Sequence, residues 1–192
     1  MKNILKIVFL GVIGIFALTY LTVEKPEVKA NDNPAGLSYA NLPAQYELVG
    51  VANNVNKEEL FKANEKTLIV VGNHDSLAIV KELPKLFDVK LPYVMVANIS
   101  SAPWFVKKMF IPGKLEELNE GTNIPMVFDM DGAAVAALNV TENAKTKFIA
   151  FMLNENGTIS ELYTGEVKEG ALDGSMNEEE KKAALKPLAD LL

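Results

Sequence analysis

The 192-residue chain has no cysteine, no arginine and a single histidine, His74. Without cysteine it forms no disulfide, no thiolate metal site and no lipid-modified N-terminal cysteine, and it performs no thiol catalysis. One histidine excludes a multi-histidine metal site. All 19 positive charges are lysine, so the planar fork that grips phosphate or carboxylate in two places is missing. A net charge of −6 argues against nucleic acid as a partner, because phosphate backbones call for a basic surface. With 49% apolar and 23% charged residues, the composition is that of a folded domain rather than a disordered chain or a polytopic membrane protein.

What is present starts with an apolar N-terminus. Lys2 and Lys6 precede a run over 7–23 broken only by small or weakly polar residues, and Val28-Lys29-Ala30 follows. This is the layout of a secretory signal over 1–30, cleaved after Ala30 or retained as a membrane anchor through 7–23. Either outcome exports the rest, to the periplasm or another extracytoplasmic space. The first 30 residues carry four lysines and two glutamates, which leaves 31–192 at −8. That acidity favours solubility and disfavours adhesion to anionic lipid. Membrane contact is expected only through an uncleaved N-terminal segment. Residues 31–45, with Pro34, Gly36 and Pro43, read as a flexible linker, and the folded domain is expected over 46–192.

Within that domain strands and helices alternate. Residues 46–51 read as a strand and 57–64 as a short helix. The unbroken apolar run 67–72 reads as a buried parallel strand. Asp75 and Ser76 can cap the helix that follows, whose apolar residues Leu77, Val80, Leu83 and Phe87 recur at helical spacing. Residues 93–97 form the next strand and complete a right-handed βαβ unit. The stretch 100–113 reads as irregular, 114–120 as helix and 126–129 as a short strand. Asn154-Glu155-Asn156-Gly157 between two apolar runs is a hairpin signal. Ser175 and Glu178 fit a capping box opening a last helix.

A βαβ unit, an excursion and a ββα ending resemble the thioredoxin-like superfamily, over residues 60–192. The likeness is to its exported peroxiredoxin and TlpA-type branch and, through 98–110 and 128–139, to the exported YtfJ type. In that family a redox motif opens the helix after the buried strand, with a proline eight residues beyond the first cysteine. Pro84 then places the motif at Ser76-Leu77-Ala78-Ile79. Glu82-Leu83-Pro84-Lys85-Leu86 resembles the family's Glu-x-Pro-x-Leu segment, and 151–157 resembles its Phe-x-Ile-Asp-x-x-Gly hairpin. The resemblance implies an α/β fold with a central mixed sheet flanked by helices. Both cysteine positions carry residues incapable of disulfide chemistry, and the region of the family's cis-proline falls at Phe148 or Ile149.

Three motifs invite catalytic readings. Val127-Phe128-Asp129-Met130-Asp131-Gly132 matches the nucleophile motif of haloacid-dehalogenase phosphatases, but 60 residues beyond Gly132 are too few for the rest of that fold, and an Asp-Gly turn is the simpler reading. His74-Asp75-Ser76 has triad letters, yet adjacent residues cannot converge in triad geometry. His74 alone could serve as an acid–base or pH-responsive group. Pro103-Trp104-Phe105 reads as an exposed aromatic contact or as a satellite core under a long loop. Sequons at Asn98, Asn139 and Asn156 are treated as chance in an asparagine-rich chain. The expected protein is an exported, non-redox binding or accessory module with no cofactor and no metal. Its expected partner is a cell-envelope protein, met through Asn73, His74, Asp75, Ser76 and Trp104. The alternative is an enzyme using non-thiol chemistry at the 73–76 loop.

Overall fold

A computed structural model describes residues 36–192; the secretory-signal reading of 1–30 lies outside them. Two short strands, β1 (Gln45–Tyr46) and β2 (Val55–Asn56), pair antiparallel beside α1 (Lys57–Leu60). A five-stranded sheet then runs in the order β5-β4-β3-β6-β7. Its strands are β3 (Thr67–Gly72), β4 (Tyr93–Ala97), β5 (Met126–Phe128), β6 (Lys147–Leu153) and β7 (Ile159–Glu166). β3, β4 and β5 are mutually parallel, and β6 and β7 continue the sheet antiparallel. All of β3 and β4 is buried, as their continuous apolar runs require of central strands covered on both faces.

Helices α2 (His74–Val80) and α3 (Leu83–Phe87) link β3 to β4, with Pro84 in the first turn of α3. A proline there loses no helical hydrogen bond, so it marks a break between two helices rather than a kink within one. The C-terminal α7 (Glu178–Ala189) packs on β7 and α3. One core cluster, around Leu77, Met95, Phe148 and Leu185, fills the α2–α7 face; a second, around Phe61, Ile69, Phe151 and Leu138, fills the other. The parallel βαβ unit, the antiparallel hairpin and the closing helix make this a thioredoxin-like α/β fold, as the resemblance implies.

Three local expectations are corrected and one element is added. Chain packing begins ahead of Tyr46, inside the stretch read as linker: Ile159 N–H donates to Leu37 O at 2.9 Å, Tyr39 N–H to Gly157 O at 2.8 Å, and Leu42 is buried. Its prolines and glycine break periodicity without preventing it from lying on the domain. The stretch read as irregular contains α4 (Trp104–Met109) and the start of α5 (Ile111–Asn119), with Pro103 and Pro112 at helix starts, where proline is tolerated. A short α6 (Ala133–Ala137) follows Gly132. The last helix is capped by Asn177 and Glu180, not by Ser175 and Glu178; Ser175 Oγ instead donates to Glu169 O.

Candidate functional site

The C-terminal ends of β3, β4 and β5 open onto one end of the sheet, where α/β folds place ligands. At β3 the chain turns directly into α2. Asn73 caps the helix: its side chain accepts from His74 N–H at 2.9 Å, and Ser76 Oγ closes the box by donating to Asn73 O (2.7 Å) and accepting from Asn73 N–H (2.9 Å). Ser76 is fully buried, so its hydroxyl is a capping group shut off from solvent.

Asp75 is also buried. Its two oxygens accept from Gly170 N–H (3.1 Å) and Leu172 N–H (2.9 Å), fastening α2 to the 3-10 turn Ala171–Asp173 nearly a hundred residues later. A carboxylate with both oxygens committed to backbone donors is a structural joint. His74 remains exposed, with a positive φ of 21° at the first helical position. No titratable partner joins it in a hydrogen bond or ion pair among the described residues.

The loop before β6 closes this end. Asn73 Nδ2 donates to Asn143 O (3.2 Å), Ser76 N–H to Lys145 O (3.0 Å) and Asn98 Nδ2 to Glu142 O (2.9 Å). Glu142 stiffens it by accepting from Asn143 N–H, Ala144 N–H and Lys147 Nζ, and the Lys147 contact leads in holding its carboxyl below the usual carboxylate range. Residues 143–145 thus face the 73–76 loop. Phe148 and Ile149, where the resemblance puts the region of the family's cis-proline, lie within β6 opposite Gly72 and Val71. The polar run 141–147 carries no apolar period to betray this.

An open groove of about 810 Å³ runs from this loop end between α2 and the α4–α5 pair, within the range of small-molecule sites. Asn73 and His74 line one end; Leu77, Ala78, Ile111 and Leu115 lie along it. Beside the groove α4 exposes Trp104 (68%) and Met109 (73%), and Phe110, which lines the groove, is 61% exposed. Lys108 Nζ lies 5.9 Å from the Trp104 ring centroid. Of the two readings of Trp104, the structure gives the exposed one. Of the five expected site residues, Asn73 and His74 line the groove, Trp104 is exposed on α4, the helix that contributes Val106 to its wall, and Asp75 and Ser76 are buried in bonds at its loop end. Sequence reading missed the groove itself, because its far wall is the stretch taken as irregular.

Asp129 and Asp131 stand apart, at the end of β5, with β4 between them and β3. Asp129 accepts from Ala134 N–H (3.0 Å) and Val135 N–H (2.9 Å), and Asp131 from Ala133 N–H (3.1 Å). The motif is a turn that starts α6. Burial raises the Asp129 pKa, outweighing these bonds and the nearby Lys107. Its folded-state pKa therefore lies above the unfolded one, so the native state holds the proton more tightly. Stability from this group falls as pH rises above about 3.9. Lowering the pH from 7 towards 4 is expected to favour wild type over Asp129→Asn progressively, read by urea denaturation at each pH; a pH-independent difference would contradict it.

No group of three or more potential metal-ligating side chains occurs among the described residues, and no described helix is long and apolar enough to cross a membrane. No family model matches the chain. No curated protein matches it either. Among solved structures it is similar to an uncharacterized conserved protein from Geobacillus kaustophilus (TM-score 0.50, 14% identity, covering 81% of this chain and 82% of that one). Weaker likenesses are to a bacterioferritin comigratory protein from Xanthomonas campestris (0.44, 14%, 72% and 89%) and to an uncharacterized thioredoxin-like protein from Porphyromonas gingivalis (0.40, 17%, 78% and 94%). At these identities the likeness is one of fold.

Proposed function

We propose that this cysteine-less chain of thioredoxin-like fold is an exported binding or accessory module of the cell envelope, without redox activity, and that the groove and its aromatic border are its binding face. The observation that carries the reading is the open apolar groove at the sheet end where such folds keep their reactive groups, with Ser76 and Asp75 there consumed in structural bonds. Exposed apolar surface beside a groove marks an interaction site, and Trp104, Met109 and Phe110 of the α4 segment supply it. The groove takes an apolar-bodied ligand, and an envelope protein seats on the α4 border. The enzyme alternative, centred on the 73–76 loop, is left with His74 alone, because Asp75 and Ser76 have no free oxygen to offer. Export rests on the apolar N-terminal segment read from the sequence.

The test is cross-linking in intact cells followed by capture through a C-terminal tag. Wild type is compared with a Trp104→Ser, Met109→Ser variant, whose exposed positions leave folding intact. The reading expects a specific envelope protein captured by wild type and lost by at least about tenfold in the variant. Equal capture by both forms would remove the α4 border from the account.

A further inference from the structure

Each lysine on the groove's rim has a bonding partner except near one end. Lys181 pairs with Glu82 at 2.6 Å and Lys114 with Glu117 at 3.0 Å, while Lys81 Nζ donates to Leu118 O at 2.6 Å. Lys145, on the loop that closes the 73–76 end, is exposed and enters no ion pair or side-chain hydrogen bond among the described residues. Asp173, on the 3-10 turn that also lines the groove, makes no ion pair with it. Between Lys145 and the far end the lining includes Leu77, Ala78, Ile111, Leu115 and Leu118. Neither edge strand of the sheet, β5 or β7, lines the groove, so an extended peptide would find no strand to pair with there.

From this arrangement of one free cation and an apolar channel we infer that the groove binds a long-chain fatty carboxylate, its chain along α2 and α5 and its head group on the Lys145 ammonium. The inference rests on the binding-module reading and names the ligand class for the same site. A hydrocarbon chain asks for no hydrogen bonds, which suits such a lining, and a single negative head matches the one lining lysine that has neither an ion pair nor a side-chain hydrogen bond among the described residues.

The test is calorimetric titration of the protein, purified from the exporting cell, with dodecanoate, octanoate and dodecanol below their micellar concentrations. Emission from Trp104, the chain's single tryptophan, gives a second readout. Dodecanoate is expected to bind one to one, and each methylene removed towards octanoate to weaken binding by up to about fourfold. Lys145→Gln, at an exposed position, is expected to weaken dodecanoate by about two- to fivefold and to leave dodecanol unchanged. Val106→Glu, on the groove wall, is expected to weaken both, with circular dichroism checking that it folds. Absence of dodecanoate binding, or equal binding of acid and alcohol unaffected by Lys145→Gln, would overturn the inference. Continued α4-dependent capture of an envelope protein would then leave the binding-module reading standing, and loss of that capture as well would end both.

Discussion

Phe148→Ala is expected to destabilise the domain by about 3–5 kcal/mol, the range for removing a fully buried aromatic side chain. The ring is 1% exposed and lies over Gly165, its direct partner across the β6–β7 pair. It also packs on Tyr163, with ring centroids 6.0 Å apart. Gly165 is needed here for its missing side chain, not for a turn: a Cβ there would stand 2.2 Å from the Phe148 ring tip. Gly165→Ala must displace the ring from a packed core, at a cost of about 1–3 kcal/mol. With the ring removed that clash disappears, and Tyr163 Cε1, 2.7 Å from the added Cβ, still has to move. The double variant is therefore expected to be less destabilised than the sum of the two singles, a coupling readable from urea denaturation. Strict additivity would show that the ring does not occupy the space above Gly165.

Asp75→Ala is expected to cost about 2–3 kcal/mol, whereas His74→Ala next to it is expected to fall within about 0.5 kcal/mol. The alanine leaves Gly170 and Leu172 N–H without their charged acceptor and loosens the turn that forms one wall of the groove. For a domain of this size the loss corresponds to a fall in Tm of roughly 4–12 °C. His74 is exposed, and its only hydrogen bond in the described set is from its own backbone N–H. Thermal unfolding of the two variants separates the structural residue from the free one. The reverse order, a costly His74 and a neutral Asp75, would contradict the account of Asp75 as the joint that holds the turn at 170–172.

The central fold was legible because its strongest signals are local and continuous. The runs 67–72 and 93–97 match β3 and β4 residue for residue, since a strand covered on both faces needs nothing but apolar side chains. The Asn154–Gly157 turn was legible for a similar reason: Gly157, with φ of 80°, occupies a conformation that glycine accepts freely. The site was less legible. The sequence offered Asp75 and Ser76 as caps, whereas Asn73 caps the helix with Ser76, and that Asp75 bonds the turn at 170–172 is a tertiary fact with no local trace. Likewise, Pro103 and Pro112 read as breakers while in fact opening helices α4 and α5, and those helices make the wall that turns an exposed loop into a groove. The loop before β6 is hidden for the same reason: its polar run carries no period, and only the bonds from Asn73 and Ser76 to Asn143 and Lys145 place it at this end.

The central claim is that binding takes place in the groove and on its α4 border. A photoreactive amino acid placed singly at Trp104, at Lys114 on the groove rim and at Glu155 on the hairpin turn at the opposite end of the sheet tests it most directly. After irradiation of living cells the account predicts specific adducts from positions 104 and 114 and none from 155. Adducts from 155 with 104 and 114 silent would contradict it and move the binding surface to the other end of the molecule.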